Sequence, residues 1–356
     1  MSKYWSEIAK NIEPYVPGEQ PKNKKYIKLN TNENPYPPSP KVINAIEQAA
    51  NNNLQLYPDP NCDDLRNTLA NYYELSSDQV FIGNGSDEVL AFSFMAFFNQ
   101  GTPILFPDIT YSFYEVYAEL FKLKYKLIPL DDNFDIPIDS FCIKNGGIVI
   151  PNPNAPTTRY MSIECLKKIV ECNMESVVII DEAYIDFGGE SLARFVNDYP
   201  NLLVVQTLSK SRALAGLRVG FAFGHIDLIE GLNRIKNSIN SYTVNRLSLA
   251  GAKAAFEDEP YFKNISSKII NTRKKVIPYL KALGFKVLES KTNFLFVSHN
   301  KTHAKIIFRE LKNDGILVRH FDKPRTHNFL RITIGTDEEM DILINKLKNI
   351  ISKTYL

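Results

Sequence analysis

Short apolar runs alternate with amphipathic helical patterns over residues 45–245, and this alternation limits the folds that the chain can adopt. The apolar runs have the length of buried strands and lie at residues 80–82, 103–106, 126–129, 148–150, 177–180, 202–206 and 218–223. Between them lie patterns typical of helices, as at residues 87–98 and 162–172. Strands that alternate with helices predict a mostly parallel sheet between two layers of helices. We therefore expect an α/β fold.

The alternation ends near residue 245, which predicts three parts in the chain. Residues 1–44 are rich in proline, lysine and asparagine and indicate an N-terminal arm. Residues 45–245 form the predicted large domain, and residues 246–356 form a smaller α+β domain. In the small domain we expect a helical region at 247–283 with breaks near Pro260 and Pro278, strands at 293–298, 316–321 and 329–334, and helices at 302–313 and from Asp337 onwards.

The charge balance argues against nucleic acid and membrane surfaces as partners. The chain has 42 basic and 40 acidic side chains, a net charge of +2, so no long-range field attracts a polyanion. Residues 1–10 lack the apolar run of a signal peptide, and the apolar stretch at 91–98 is too short to cross a bilayer. These features predict a cytoplasmic protein.

The cysteines and histidines give no sign of a metal site. Cys62, Cys142, Cys165 and Cys172 have neither metal-ligand spacing nor the spacing of a redox pair, and we expect all four to be reduced. The two closest histidines have no third ligand nearby in sequence. No metal is therefore predicted.

Polar side chains follow three of the predicted strands, at the edge of an α/β sheet where ligands bind. Asp181 and Tyr184 follow the strand at 177–180, Lys210 follows the strand at 202–206, and Asn154 follows the strand at 148–150. A carboxylate, an amine and an amide are thus expected to converge at one edge of the sheet.

The segment around Lys210 has the composition of a nucleophile beside a phosphate site. The hydroxyls of Thr207 and Ser209 precede the lysine, and Arg218 follows eight residues later. Arginine suits phosphate because its planar fork donates two hydrogen bonds to it. A second phosphate element is the glycine-containing turn at 83–88, where Ser86 can cap a helix whose free amides face an anion.

These motifs occur in the order found in one enzyme class. The chain resembles the fold-type-I pyridoxal-phosphate aminotransferases, and within them the histidinol-phosphate aminotransferase branch. The resemblance runs from about Tyr15 to Gly335. It rests on Gly85-Ser86-Asp87, Tyr111, Asn152-Pro153-Asn154, Asp181, Ala183-Tyr184, Ser209-Lys210 and Arg218, together with Tyr57-Pro58-Asp59 and the segments at 14–18, 28–37 and 330–335.

The resemblance implies pyridoxal 5'-phosphate as cofactor and gives its residues roles. Lys210 carries the cofactor covalently and later acts as the base, Asp181 pairs with the pyridine nitrogen, and Tyr184 binds the phenolic oxygen. Tyr111 stacks on the ring. The predicted phosphate ligands are Gly85, Ser86, Thr207, Ser209 and Arg218, and Asp87 and Asn154 complete the predicted cofactor set.

The resemblance also implies a homodimer with shared active sites and a substrate pocket. Tyr57 is expected to reach the cofactor phosphate of the neighbouring subunit. Arg331 is expected to bind the substrate phosphate and Arg319 to supply a second guanidinium, while Tyr15 and Asn32 line the pocket. The leading substrate pair is L-histidinol phosphate and imidazole acetol phosphate, with glutamate and 2-oxoglutarate as the complementary pair.

One departure from the family pattern affects the cofactor site. The usual Asn-Pro-Xaa-Asn-Pro-Thr-Gly appears at 152–158 with Ala155 in place of the second asparagine and Thr158 in place of the glycine. That asparagine normally contacts the phenolic oxygen of the cofactor. Either Asn154 substitutes for it or Tyr184 makes the contact alone.

Several activities remain compatible with these motifs. One is a pyridoxal-phosphate-dependent decarboxylase acting on an amino-acid phosphate. Another is an aminotransferase for a different small phosphorylated ketone or amine, as in surface-sugar or cofactor synthesis, or for an aromatic amino acid. A non-catalytic regulator with the same fold is disfavoured because the lysine is present and no DNA-binding module is fused to the chain.

Overall fold

The computed structural model describes residues 2–21 and 24–354, and its first elements belong to the N-terminal arm. The arm contains the short helix α1 (Glu7–Asn11) and the strand β1 (Ile27–Lys28). Strand β1 pairs in parallel with residues 316–317, near the end of the chain. The arm is therefore anchored to the C-terminal part of the protein by backbone hydrogen bonds.

The next part of the chain forms a seven-stranded sheet with helices packed against it. All seven predicted strands are present, and the order across the sheet is β2-β8-β7-β6-β5-β3-β4. Strand β8 runs antiparallel to both of its neighbours, and the other pairs are parallel. The elements are β2 (Val80–Gly83), β3 (Ile104–Pro107), β4 (Tyr125–Ile128), β5 (Ile148–Pro151), β6 (Val178–Asp181), β7 (Leu202–Thr207) and β8 (Gly220–Gly224), with helices α2 (Pro40–Ala49), α3 (Asp63–Tyr73), α4 (Ser86–Phe97), α5 (Phe113–Leu120), α6 (Ile163–Glu171) and α7 (Ile226–Ile239). The predicted mostly parallel α/β sheet is confirmed.

Both faces of this sheet are buried, which explains why its strands are apolar throughout. Side chains alternate between the faces along each strand. Ile180 and Val204 pack into one apolar cluster, whereas Ile179 and Val205 pack into another on the opposite face. Asp181 therefore shares the face of Ile179.

The C-terminal part forms a second, antiparallel sheet of four strands in the order β12-β13-β10-β9. Strands β12 and β13 flank the loop at 322–328 and pair antiparallel. The elements are helices α8 (Arg246–Glu257), α9 (Glu259–Ala282), α10 (Ala304–Asn313) and α11 (Asp337–Thr354), and strands β9 (Phe285–Val287), β10 (Phe294–His299), β11 (Ile316–Leu317), β12 (Arg319–His320) and β13 (Leu330–Thr333). The boundaries at residues 44 and 245 stay predictions.

Two predicted elements of the small domain differ in the structure. The helical region breaks at Asp258, before Pro260, but α9 continues through Pro278. The side chains of Val276 and Leu280 are buried on either side of this proline, and their packing outweighs the loss of one backbone hydrogen bond. The strand predicted at 316–321 is split, because β11 pairs with the arm whereas β12 pairs with β13.

The expectation of four reduced cysteines is wrong for two of them. Cys142 and Cys172 form a disulfide with a Cα–Cα distance of 5.5 Å, whereas Cys62 and Cys165 are free. Cys142 follows a short 3-10 helix, and Cys172 is the C-cap residue of α6. The tertiary fold brings these two segments together, and the spacing of the two cysteines in the sequence does not predict this contact.

Within the described ranges, none of the helices combines the length and the apolar character needed to cross a bilayer.

Gly220 allows a close backbone approach that sets the position of α4. A Cβ atom at this position would lie 2.2 Å from the backbone nitrogen of Ser86, which cannot rotate away. We expect Gly220→Ala to lower the free energy of unfolding by about 1–3 kcal/mol through overpacking, as measured by urea denaturation. Gly216→Ala is the matched control, because its Cβ would meet no heavy atom within 4 Å, and it should change stability by less than about 0.5 kcal/mol. Equal stabilities of the two variants would contradict this account.

Candidate active site

A cavity of about 100 Å³ opens at the carboxyl ends of β5, β6 and β7. The sequence pattern predicted a site at this edge of the sheet. Parallel pairing sets Pro151 beside Asp181 and Asp181 beside Val205, so the three strand ends lie next to one another. The predicted residues that line the cavity are Ser86, Asp87, Tyr111, Asp181, Tyr184, Thr207, Ser209, Lys210 and Arg218.

One end of the cavity carries the donors expected of an anion site. Helix α4 begins at Ser86, with Gly85 rather than the serine at the N-cap position, and no side chain caps it. Uncapped amides at a helix N-terminus attract anions. The hydroxyls of Thr207 and Ser209 lie 3.1 Å from each other at the same end. These groups and the guanidinium of Arg218 can hold a phosphate.

The Asp87 carboxylate organises this end of the cavity. Its carboxylate accepts hydrogen bonds from Arg218 Nη2 at 2.9 Å and from the hydroxyl of Tyr111 at 2.8 Å. Gly85 adopts a φ of 85°, and a Cβ there would lie 2.5 Å from Arg218 Nη2. Glycine therefore lets the guanidinium lie over the turn while Asp87 orients it.

At the other end, Asp181 is buried and fixed by two donors. The hydroxyl of Tyr114 donates to Oδ2 at 2.7 Å, and the backbone amide of Ala183 donates to Oδ1 at 3.1 Å. Burial raises the pKa of the Asp181 carboxyl to about 6, against the lowering effect of these hydrogen bonds. No sequence signal indicated Tyr114, because nothing in the helical pattern around it marks a contact with a strand end.

Tyr184 is oriented by the N-terminal arm. Asn32 Nδ2 donates to the Tyr184 hydroxyl oxygen at 3.0 Å, and Thr333 Oγ1 donates to Asn32 Oδ1 at 3.0 Å. Since the tyrosine oxygen accepts from Asn32, its own hydrogen is left to donate towards the cavity. The Lys210 amine lies 5.8 Å from the centre of the Tyr184 ring.

Asn154, which was predicted to contact the cofactor, points away from the cavity. Its side-chain amide donates to Ile109 O and to Thr157 Oγ1, both at 2.9 Å, so its hydrogens are used by the segment that follows β3 and by its own loop. Ala155 lines the cavity instead. Of the two residues considered for the phenolic oxygen, Tyr184 is the one that faces the cavity.

A groove of about 660 Å³ adjoins the cavity and contains the predicted substrate residues Tyr15, Asn32, Arg319 and Arg331. Arg331 Nη2 donates to Asn30 O at 2.9 Å, while its Nε has no hydrogen-bond partner among the described residues. Burial lowers the pKa of Arg331. Arg319 is held by the backbone carbonyls of residues 16 and 17.

Tyr57 is the one predicted cofactor residue that lies on the outer surface. It is 78% exposed, stacks on Tyr242 with ring centres 4.6 Å apart, and lines neither the cavity nor the groove of its own chain. Its expected contact with a neighbouring subunit stays a prediction.

In the described part of the chain, no three metal-ligating side chains cluster together.

The family model for class I and II aminotransferases matches residues 24–347. The chain belongs to this family.

Relatives along the whole length of this aminotransferase carry a more specific name. The histidinol-phosphate aminotransferases of Clostridium beijerinckii and Clostridium acetobutylicum are 64% and 61% identical to it, over 99% of this chain and 98% and 100% of theirs. A crystal structure of the Sinorhizobium meliloti histidinol-phosphate aminotransferase in complex with pyridoxal-5'-phosphate has a TM-score of 0.89 at 24% identity and covers 99% of both chains. At that identity the structural match establishes the fold.

The cavity of this aminotransferase fits pyridoxal 5'-phosphate, the cofactor of the family. The glycine-lined turn and the uncapped start of α4 suit its phosphate, and the buried Asp181 carboxylate suits a protonated ring nitrogen at the opposite end. Lys210 lines the same cavity, with its amine 5.8 Å from the centre of the Tyr184 ring. The chain can therefore hold the phosphate, the ring and the aldehyde carbon of the cofactor.

Glu182, next to Asp181, is a buried carboxyl that the sequence motifs did not single out. It accepts hydrogen bonds from Ser191 Oγ at 2.5 Å, from the Leu192 amide at 2.8 Å and from Gln206 Nε2 at 2.8 Å. Despite these donors, burial raises the pKa of Glu182 to about 7 from an ordinary value of 4.5. These hydrogen bonds connect Glu182 to the loop that follows β6 and to β7.

The raised pKa of Glu182 predicts how stability depends on pH. A carboxyl whose pKa is higher in the folded chain stabilises the fold fully below pH 4.5 and loses this contribution as the pH rises to about 7. The contribution amounts to about 3 kcal/mol. Between pH 5 and pH 8, the free energy of unfolding measured in urea should therefore fall less in Glu182→Gln than in the wild type. The exposed Glu190→Gln should keep the wild-type difference, and an unchanged difference in Glu182→Gln would refute the assignment.

Proposed function

We propose that this aminotransferase moves an amino group from L-histidinol phosphate to 2-oxoglutarate, giving imidazole acetol phosphate and glutamate. The observation that carries the proposal is the Arg331 guanidinium in the groove beside Lys210, with an Nε that has no partner among the described residues. The names of relatives at 64% and 61% identity support the same substrate.

Two guanidiniums favour a phosphorylated substrate over a simple carboxylate. Arg319 and Arg331 lie opposite each other on the paired strands β12 and β13, and both line the groove. Paired guanidiniums can neutralise both charges of a phosphate dianion while donating to several of its oxygens. Tyr15, which stacks on Phe113 at 4.4 Å, adds an aromatic wall to the same groove.

The proposed roles of the cofactor residues follow from their places in the cavity. Pyridoxal phosphate supplies a ring that withdraws electrons from the substrate carbon. Asp181 keeps a proton on the ring nitrogen, Tyr184 donates to the phenolic oxygen, and Tyr111 covers the ring face. Lys210 would hold the cofactor, and its amine would then serve as the base that accepts and returns a proton. The proposed phosphate ligands are Gly85, Ser86, Thr207, Ser209 and Arg218.

We also propose that two copies of the chain form a cytoplasmic homodimer with shared sites. Tyr57 lies outside the cavity of its own chain and is largely exposed, so it is available to a second subunit. Its segment is held in place, because Arg246 Nη2 donates to Tyr57 O at 3.2 Å and the ring stacks on Tyr242. A fixed, outward aromatic hydroxyl suits a contact with the phosphate of the neighbouring site.

Lys210→Ala is expected to abolish turnover and the covalent attachment of the cofactor. Among the described residues, Lys210 is the one lysine that lines the cavity, and none of the other described lysines is placed to replace it. The measurement is the mass of the protein after borohydride reduction with pyridoxal phosphate, alongside glutamate production. Lys253→Ala, which alters a partly exposed lysine paired with Asp64, should retain both attachment and activity. Cofactor attached at the same site in Lys210→Ala would disprove the assignment.

Arg331→Ala is expected to weaken the enzyme selectively towards phosphorylated amines. A hydrogen bond to a charged group contributes about 1.5–3 kcal/mol, so kcat/KM for histidinol phosphate should fall about ten- to a hundredfold. Cofactor attachment should be unaffected. The measurement compares the wild type, Arg331→Ala and the exposed control Arg309→Ala on histidinol phosphate and histidinol, with 2-oxoglutarate as acceptor.

The same panel, extended by a second phosphorylated amine and by an amino-acid phosphate with a carboxyl group to lose, tests the proposed function as a whole. Equal wild-type activity on histidinol and its phosphate would contradict the phosphate assignment, and a preference for another phosphorylated amine would contradict histidinol phosphate alone. Release of carbon dioxide from the amino-acid phosphate, without glutamate formation, would identify a decarboxylase.

A further inference from the structure

Tyr114 contacts Asp181 but does not line the cavity. None of the roles proposed above involves Tyr114. The residue lies in α5, is fully buried, and lines neither the cavity nor the groove. Its hydroxyl donates to Asp181 Oδ2 at 2.7 Å. Phe106 and Tyr111 meet its ring edge-on at 5.9 Å and 5.8 Å, so the ring is held in this orientation.

The two donors to Asp181 determine how its carboxylate faces the cavity. Tyr114 donates to Oδ2 and the Ala183 amide donates to Oδ1, one on each oxygen. A carboxylate has about four acceptor positions, so lone pairs remain for a donor in the cavity. Rotation of the carboxylate would break both bonds. The orientation that the cofactor meets is therefore set before it binds.

We propose that Tyr114 is a positioning residue whose hydroxyl holds the Asp181 carboxylate in its ionised form, so that the proton shared with the cofactor resides on the ring nitrogen. The inference rests on the role proposed for Asp181. A hydrogen bond donated to a carboxylate stabilises its charged form and makes it a weaker base. Without that bond, the proton shifts towards the carboxyl and the ring loses its positive charge.

The surroundings of Asp181 show why such a donor matters. Burial on the apolar face of the sheet is the largest influence and raises the pKa of Asp181, and the negative charge of Asp87 raises it further. The hydrogen bond from Tyr114, the amide of Ala183 and the positive charge of Lys210 lower it. Among these groups, Tyr114 is the one side chain that donates a hydrogen bond to the carboxylate.

The decisive experiment follows the ring nitrogen directly. Wild type, Tyr114→Phe, Tyr73→Phe and Asp181→Asn are each loaded with ¹⁵N-labelled pyridoxal phosphate, and the nitrogen resonance is recorded. In Tyr114→Phe, the ratio of ring-protonated to carboxyl-protonated pairs should fall by about ten- to a hundredfold. Tyr73→Phe is the matched control, since it removes a buried hydroxyl bonded to Gln206 on the opposite face of the sheet.

A second measurement keeps the inference testable without the cofactor. Infrared titration of the Asp181 carboxyl in the cofactor-free full chain should give a pKa about one to two units higher in Tyr114→Phe than in the wild type. If Tyr114→Phe does not fold, 3-fluorotyrosine placed at position 114 provides the opposite change. Its hydroxyl is a stronger donor, so the pKa of Asp181 should fall.

The outcomes separate this inference from the proposed role of Asp181. A nitrogen resonance that changes in Asp181→Asn but not in Tyr114→Phe overturns the role of Tyr114 alone. A resonance unchanged in Asp181→Asn overturns the pairing of Asp181 with the ring. An Asp181 pKa that does not respond to either change at position 114 shows that the tyrosine serves packing only.

Discussion

Parallel hydrogen bonding between β5, β6 and β7 is the interaction on which the site depends. It places the carboxyl ends of three strands side by side, with Pro151 against Asp181 and Asp181 against Val205. The segments that follow these three strands therefore all leave the sheet at the same edge. Asp181 and Lys210, far apart in sequence, line the same cavity for this reason.

Several charged side chains at this edge are paired, because an unpaired buried charge is costly. The half-exposed Arg218 pairs with Asp87, and the buried Asp181 accepts hydrogen bonds from Tyr114 and the Ala183 amide. Glu182 receives donors from Ser191, Leu192 and Gln206 on the opposite face. The result is a set of side chains whose orientations are fixed by neighbours rather than by the ligand.

The N-terminal arm connects the two sheets. Strand β1 pairs with β11, and the turn that follows places Asn32, at a φ of 57°, between Thr333 of β13 and Tyr184. The strand that carries Arg331 is thus linked through two side-chain hydrogen bonds to a tyrosine at the cofactor cavity. The groove and the cavity are therefore joined by one hydrogen-bond network.

The sequence by itself determined the strands of the large sheet, the cluster of residues around Lys210 and the family. These signals are local, since apolar periodicity and strand-end motifs lie within a few residues of each other. The tertiary structure decided which side chains meet across elements: Tyr114 with Asp181, Asn32 with Tyr184, Cys142 with Cys172, and the turning of Asn154 into its own loop. It also decided that α9 runs through Pro278, because packing against a distant sheet outweighed the local preference. Such contacts join residues far apart in the chain, and no local pattern encodes them.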